Sequence, residues 1–255
     1  MRNTFTICRR ELGAYFASPI AYLLLALFGL VNGFFFYLYT AGFVESGMRQ
    51  QMMGQGQAMN VNEWVVAPVL SNASVIGLFL LPLISMRLFA AEKRSGTIEL
   101  LMTSPLHDWE IVLGKWMGAM VMYLCVIGMA AINIGTLFAW GSPDWRPALT
   151  GFLGLILQGG CILAIGAFIS TTTKNEIIAG AATFAVCLML WVLAAVSQFN
   201  DAPWAQAVAY CSILTHFEPF SKGIIDSKDV IFYFSAIFFG LFLTARSLES
   251  LRWRA

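Results

Sequence analysis

The residues able to do chemistry are few, and almost all lie outside the apolar runs. His107 and His216 are the two imidazoles of a 255-residue chain. His216 is followed by Glu218, Lys222 and Asp226 at spacings of two and four, which sets an imidazole and two carboxylates on one short stretch. Zinc accepts such donors, but the spacing does not assure three acceptable ligands, and we read the stretch as an ordered cap with no metal. Met48, Met52, Met53 and Met59 carry thioethers of the kind copper(I) uses. Without a nearby histidine or a repeated spacing they read as part of a flexible polar loop. The five cysteines, Cys8, Cys125, Cys161, Cys187 and Cys211, show no CxxC spacing. Three of them lie in apolar runs, where cysteine serves as a small hydrophobe. No GxxxxGK[ST] sequence occurs, and the one Gly-Lys pair, Gly114-Lys115, opens an apolar run instead of following a strand. A phosphate cradle needs that glycine loop, so any ATP used must be bound by a separate chain.

The elements that must position these residues are set by hydropathy. The chain is 59% hydrophobic and 11% charged, against about a quarter charged in an ordinary soluble domain. Six stretches lack Asp, Glu, Lys, Arg and His: residues 20–39, 64–86, 116–140, 149–170, 177–197 and 230–245. At 1.5 Å per residue five of them can cross about 30 Å of hydrocarbon. The sixth is short, and Asp229 or Arg246 would extend it by snorkelling to the interface. Trp64, Trp116, Trp140, Trp145, Trp204 and Trp253 fall near the ends of these runs, where amphipathic rings favour the headgroup layer. The first run is longer than a cleavable signal core and is expected to remain as an anchor.

With the N-terminus inside, inner segments hold eleven Lys and Arg residues and outer segments only Arg49, Arg146, Lys222 and Lys228. The positive-inside rule therefore places both termini in the cytoplasm, in a bacterial inner membrane. Phe5, Cys8, Leu12 and Tyr15 recur at helical spacing opposite Arg2, Thr6, Arg9, Arg10 and Gly13, which predicts an amphipathic helix over residues 1–19 lying along the inner surface. Segment 200–229 is expected to dip back or cap the outer face.

The empty spans exclude some functions. Ion-coupled carriers place acidic residues or histidine inside the bundle, and haem subunits hold iron with histidines there; neither pattern is present. A secondary transporter or channel is therefore disfavoured, and a structural membrane anchor is the other alternative. Asn32, Asn72, Asn133 and Gln158 are polar residues inside the runs. They either line a substrate path or hydrogen-bond between helices. Small residues such as Gly128, Gly154, Gly159, Gly160 and Gly166 suit close helix packing, within one bundle or at a dimer seam.

The longest inner connection, residues 87–115, interleaves Glu92, Lys93, Arg94 and Glu99 with Ile98, Leu100, Leu101 and Met102. That pattern suits a short helix with one face on the membrane and another toward a cytoplasmic partner. Ser104-Pro105 ends it, and Asp108 can cap a helix beginning near Trp109.

The stretch from Met86 to Leu101, MRLFAAEKRSGTIELL, resembles the signature of the ABC type-2 permeases, in particular the subfamily of the gliding-motility permease GldF. Further blocks resemble the same family in order: Arg9-Arg10-Glu11-Leu12 with Tyr15-Phe16 and Ser18 to Tyr22, then Asp108 to Lys115, Leu214 to Asp226, and Arg246 to Ser250. Two positions depart from the pattern: Ala91 stands where a second glutamate is expected, and His107 where a serine cap is usual. The resemblance implies an all-α integral membrane protein of ABC type-2 exporter fold, with six transmembrane helices, an N-terminal elbow helix and a cytoplasmic coupling helix. It implies a permease without catalytic residues or cofactor of its own, paired with a second permease copy. Two cytoplasmic ATPase subunits binding ATP and Mg, and a GldG-like auxiliary membrane protein, complete the implied complex. On that resemblance Glu92, Arg94, Gly96, Thr97 and Glu99 are the ATPase-coupling residues. Carboxylates there could bond partner arginines, and Gly96 would permit close backbone approach.

Overall fold

The computed structural model describes residues 2–53, 59–99, 106–141, 143–199, 206 and 210–252. Among these residues the chain is helical throughout, without strands. We number the helices α1 (Arg2–Phe16), α2 (Pro19–Met52), α3 (Ala67–Ser85), α4 (Ala90–Ser95), α5 (Asp108–Trp140), α6 (Trp145–Thr172), α7 (Glu176–Phe199), α8 (Ile213–Ser221) and α9 (Ser227–Arg252). A π-helical turn, Asn62–Val66, leads into α3. Six helical segments, built on α2, α3, α5, α6, α7 and α9, are long and apolar enough to cross a membrane.

The first span is much longer than its charge-free core. Helix α2 runs 34 residues, about 51 Å. Ser18 opens it, its hydroxyl accepting from the Ile20 N–H, and Pro19 fits the first turn, where its missing N–H costs nothing. Charge ends a lipid-embedded run but not a helix: Glu45 and Arg49 pair one turn apart at 3.5 Å and the backbone continues to Met52. Met48 and Met52 therefore lie on a helix and Met53 caps it, which corrects the expectation of a flexible methionine loop. At the other end of the chain α9 begins at Ser227 and includes Asp229. That aspartate is buried, so it does not snorkel as the sequence suggested.

Helices α3 and α6 form the centre, two-thirds buried over their apolar windows, while α2, α5, α7 and α9 surround them. Small residues on α6 are what let so many neighbours approach. A Cβ built on Gly151 would strike Leu70 and one on Gly166 would strike Ser85, both of α3. Gly159 lies against the Tyr123 ring of α5, Gly154 against Phe217 and Phe220 of α8, and Gly160 against Ile237 of α9. Without a hydrophobic driving force between helices in lipid, this close packing is the main source of association. Gly128 and Gly135 of α5 have nothing within 4 Å.

Helix α1 is not simply laid on a surface. Gly114 and Gly118 open a groove on α5 into which it fits, with a Cβ on either glycine coming 2.8 Å from Ile7 or Glu11. Ile7 and Cys8 are buried there while Phe5 is 68% exposed. The buried stripe is thus rotated from the one the hydrophobic spacing suggested, because it follows the glycine groove.

Candidate functional site: helix α4 and its contacts

Helix α4 is six residues long and stands at the end of the bundle that carries α1 and the start of α5; we call this the α4 end. A proline lies one turn before the break that precedes it. Pro82 lies inside α3 and cannot donate to the helix ladder, and a turn at residues 86–89 follows before α4 begins. Gly96 ends α4 in the left-handed region, φ 73°, where a side chain would be strained. Among the described residues nothing beyond its chain neighbours comes within 4 Å of a Cβ placed there, so the positive φ accounts for this glycine. Ser95 and Thr97 share a hydrogen bond of 2.8 Å, and both hydroxyls reach the Glu92 carbonyl, at 3.2 and 3.5 Å, closing the last turn. Arg94, Gly96, Thr97 and Glu99 are exposed together on this tip. Leu100 to Pro105, the rest of the expected coupling element, lies outside the described residues.

Glu92 faces inward. Its Oε1 accepts from Lys115 Nζ at 2.9 Å and from Arg10 Nη2 at 2.9 Å. Lys115 also reaches Glu11 Oε1 at 2.8 Å, and Arg10 approaches the same oxygen at 3.4 Å. Two carboxylates and two cations thereby join α1, α4 and α5. Lys115 is 1% exposed, with its ammonium 5.3 Å from the Phe89 ring centre, whereas Glu11 and Glu92 keep 14% and 16%. Lined by Arg10, Glu11, Tyr15, Arg87, Glu92 and Lys115, a cavity of about 200 Å³ lies over the network. Burial, with Glu11 beside it, pushes the Cys8 thiol above its ordinary pKa.

A second set of contacts ties α4 and its turn to α3, α6 and α7. The Ser170 hydroxyl of α6 accepts from the Phe89 and Ala90 N–H groups at 3.0 and 2.9 Å and donates to the Met86 carbonyl at 3.1 Å. Lys93 Nζ donates to the Thr171 carbonyl at the end of α6. Burial, and then Lys174, lower the Lys93 pKa. Arg87 pairs with Glu176 of α7 at 3.4 Å and donates to Ser18 at 3.3 Å, while Tyr15 donates to the Ile84 carbonyl at 2.8 Å.

The polar residues of the spans form three separate interhelical pairs. Asn133 donates to Asn32 at 3.2 Å, Asn72 to Tyr39 at 2.8 Å, and Ser74 to Gln158 at 2.7 Å.

At the opposite end of the bundle, the α8 end, His216 is buried on α8. Its Nε2–H donates to the Tyr210 carbonyl at 2.7 Å, and Nδ1 shares a 2.6 Å hydrogen bond with Asp229 Oδ1. The ring stacks on Phe232 at 3.9 Å. Glu218 and Lys222 form an exposed pair at 2.6 Å. Asp226 pairs with Lys228 at 3.0 Å, which holds its carboxyl below the ordinary range. The histidine's partner is thus Asp229, not a member of the expected cap quartet. Among the described residues no group of three His, Cys, Asp or Glu side chains could hold a metal.

Sequence reasoning missed Glu11, Lys115, Ser170 and Asp229. One signal was available for Lys115: it stands inside an apolar helix two turns past its start, and a buried ammonium must find anions. The N-cap was also misassigned. Helix α5 starts after His107, whose backbone N–H donates to Glu110 Oε2 at 3.4 Å, so Asp108 is the first helical residue and not the cap.

A sequence profile of the ABC-2 family transporter proteins matches residues 5–244, nearly the whole chain. The chain belongs to that family. It is similar to the probable multidrug ABC transporter permease YbhR of Escherichia coli K12, at 25% identity over 168 residues, and equally to the protein of that description from Escherichia coli O157:H7. Each match takes in 64% of this chain and 44% of the relative, so the chain spans less than half the length of these curated relatives.

Proposed function

We propose that this ABC-2 permease is the membrane half of an ATP-driven transporter, with the α4 tip docking into a cytoplasmic ATPase subunit. The α4 end then faces the cytoplasm of an inner membrane and the α8 end faces outward. ATP and Mg are bound by the ATPase, two copies of which pair with two copies of this chain. The observation that carries the reading is the division of labour on α4. Arg94, Gly96, Thr97 and Glu99 are exposed, while Glu92 and Lys93 are tied back into the bundle. A lever needs both a free end and a rooted one. The role of Glu92 is accordingly to root the lever, with Arg94 and Glu99 available for charge-assisted bonds across the contact.

The finer placement is with the GldF branch, on the resemblance of the Met86–Leu101 stretch, and a GldG-like auxiliary protein meets the α8 end around Glu218, Lys222 and Asp226. Export is the output we assign by analogy with the multidrug transporters among the relatives, and mechanical work in the envelope is the output that membership of the GldF branch would give. Asn32, Asn72, Asn133 and Gln158 are the polar positions a cargo would meet if the helices separate. The test is purification of the tagged permease from its own membranes, with Arg94→Glu/Glu99→Arg and Gly96→Trp beside it. Wild type is expected to bring down an ATP-hydrolysing subunit, and the variants to insert normally but lose it. Variants that retain the subunit and its turnover remove the tip from the contact.

A further inference from the structure

Resting on the reading that α4 is the coupling element, we infer that Ser170 is a positioning residue for it, joining α4 to a continuous rod, α6, whose far end carries the α8 cap.

A serine hydroxyl has one donor and two acceptor lone pairs, and Ser170 uses all three at one place. It accepts from Phe89 N–H and Ala90 N–H and donates to the Met86 carbonyl. These are the loose backbone groups of the break between α3 and α4. A helix start is ordinarily satisfied by the side chain of its own N-cap residue. Here the N-cap is Phe89, which has no oxygen to offer, and the cap is supplied from 80 residues away in sequence. The C-terminus of α6 reciprocates: its Thr171 carbonyl, one of the unsatisfied last four, receives Lys93 Nζ. Displacement of α4 is therefore shared between the Glu92 ion pairs to α1 and α5 and the end of α6, with Ser170 wholly buried at the joint.

Helix α6 can carry that displacement as one continuous helix, Trp145–Thr172, packed closely at its glycines. Helix α3 has Pro82 in its interior, which removes one bond from its ladder a turn before the break. In α6 the one proline, Pro147, sits in the first turn. Thr150, about 30 Å along the axis from Ser170, is the outer joint. Its one hydroxyl hydrogen is shared among the Phe220 carbonyl of α8 at 3.0 Å and the Arg146 and Pro147 carbonyls of its own helix, each at 3.1 Å. Gly154 lets the Phe220 side chain sit directly on the rod, where a Cβ would come within 2.7 Å. Tyr233 fixes the near end of α8 by donating to the Ile213 carbonyl at 2.7 Å. The same helix thus holds the coupling element at one end and the cap at the other.

Cys211, exposed just ahead of α8, is a native reporter. The permease with its ATPase subunit is placed in nanodiscs, and the rate of Cys211 modification by a polar maleimide is compared without nucleotide and with ATP plus vanadate. Wild type should change by about fivefold or more, the lower range of ordinary allosteric couplings. In Ser170→Ala complexes that still hydrolyse ATP, the nucleotide-dependent change at Cys211 should fall close to unity. Should Ser170→Ala fail to assemble, Thr150→Val decides, since it leaves the α4 end intact and removes only the outer joint. Loss of the response in Thr150→Val supports the rod. A wild-type response in either assembled variant overturns it, as does a wild-type complex that hydrolyses ATP with no change at Cys211. Failure of the wild-type chain to bind any ATPase instead refutes the reading on which the rod rests.

Discussion

Replacing Lys115 by Met tests whether the α1–α4–α5 network is what roots the coupling helix. The ammonium is 1% exposed and bridges Glu11 and Glu92 at 2.8 and 2.9 Å. Breaking a buried ion pair by removing one partner costs about 3–5 kcal/mol, because the other charge is left without compensation. The cost here is smaller, since both carboxylates keep some exposure and Arg10 still reaches each of them. About 2–3 kcal/mol remains, concentrated on the attachment of α1, and that is a factor of about 30–150 in the opening equilibrium. Cys8 reports this opening, being buried in the α1–α5 contact. Its alkylation by maleimide in detergent should accelerate about 30–150-fold in Lys115→Met. The triple neutral variant Glu11→Gln/Glu92→Gln/Lys115→Met should recover most of the protection, because no charge is then stranded. Equal labelling of wild type and Lys115→Met would refute the reasoning.

Three further outcomes follow from the packing and the charges. Asp229→Ala should lower the stability of the solubilised protein by about 3 kcal/mol, since it strands the buried His216, whereas exposed Asp226→Ala should change it little, as compared by thermal unfolding. Gly159→Ala drives a methyl into the Tyr123 ring and should cost about 1–3 kcal/mol, while Gly128→Ala has open space and a better helix former and should be neutral or slightly stabilising. Burial and Glu11 raise the Cys8 thiol, which keeps its thiolate scarce at a given pH. Its alkylation rate should therefore keep climbing with pH beyond the range where a free thiol has levelled off, and a profile like that of a free thiol would contradict the burial.

The spans were legible because lipid imposes a rule that composition alone can satisfy: runs of about twenty residues without charge. Helix ends were less legible, since the same rule says when a helix leaves the lipid but not when its backbone stops. Helix α2 continues thirteen residues past Tyr39, and α5 starts eight residues before Trp116. The charge pattern of residues 87–115 and its resemblance single out Arg94, Gly96, Thr97 and Glu99, and these four are exposed together on one tip. What could not be read was which charges point inward. Glu92 and Glu99 look alike in sequence, and only the glycine groove of α5, which draws α1 and with it Glu11 and Arg10 to the root of α4, separates them. Ser170 was invisible for a related reason: a cap supplied by another helix leaves no local spacing to recognise.

The most direct measurement is photo-crosslinking from Thr97 in native membranes, with a photoreactive amino acid placed at that exposed position. Our account expects one dominant adduct, to a nucleotide-hydrolysing subunit on the cytoplasmic side, lost when Gly96 is also changed to Trp. Adducts to lipid alone, or to a component outside the cell, would contradict it.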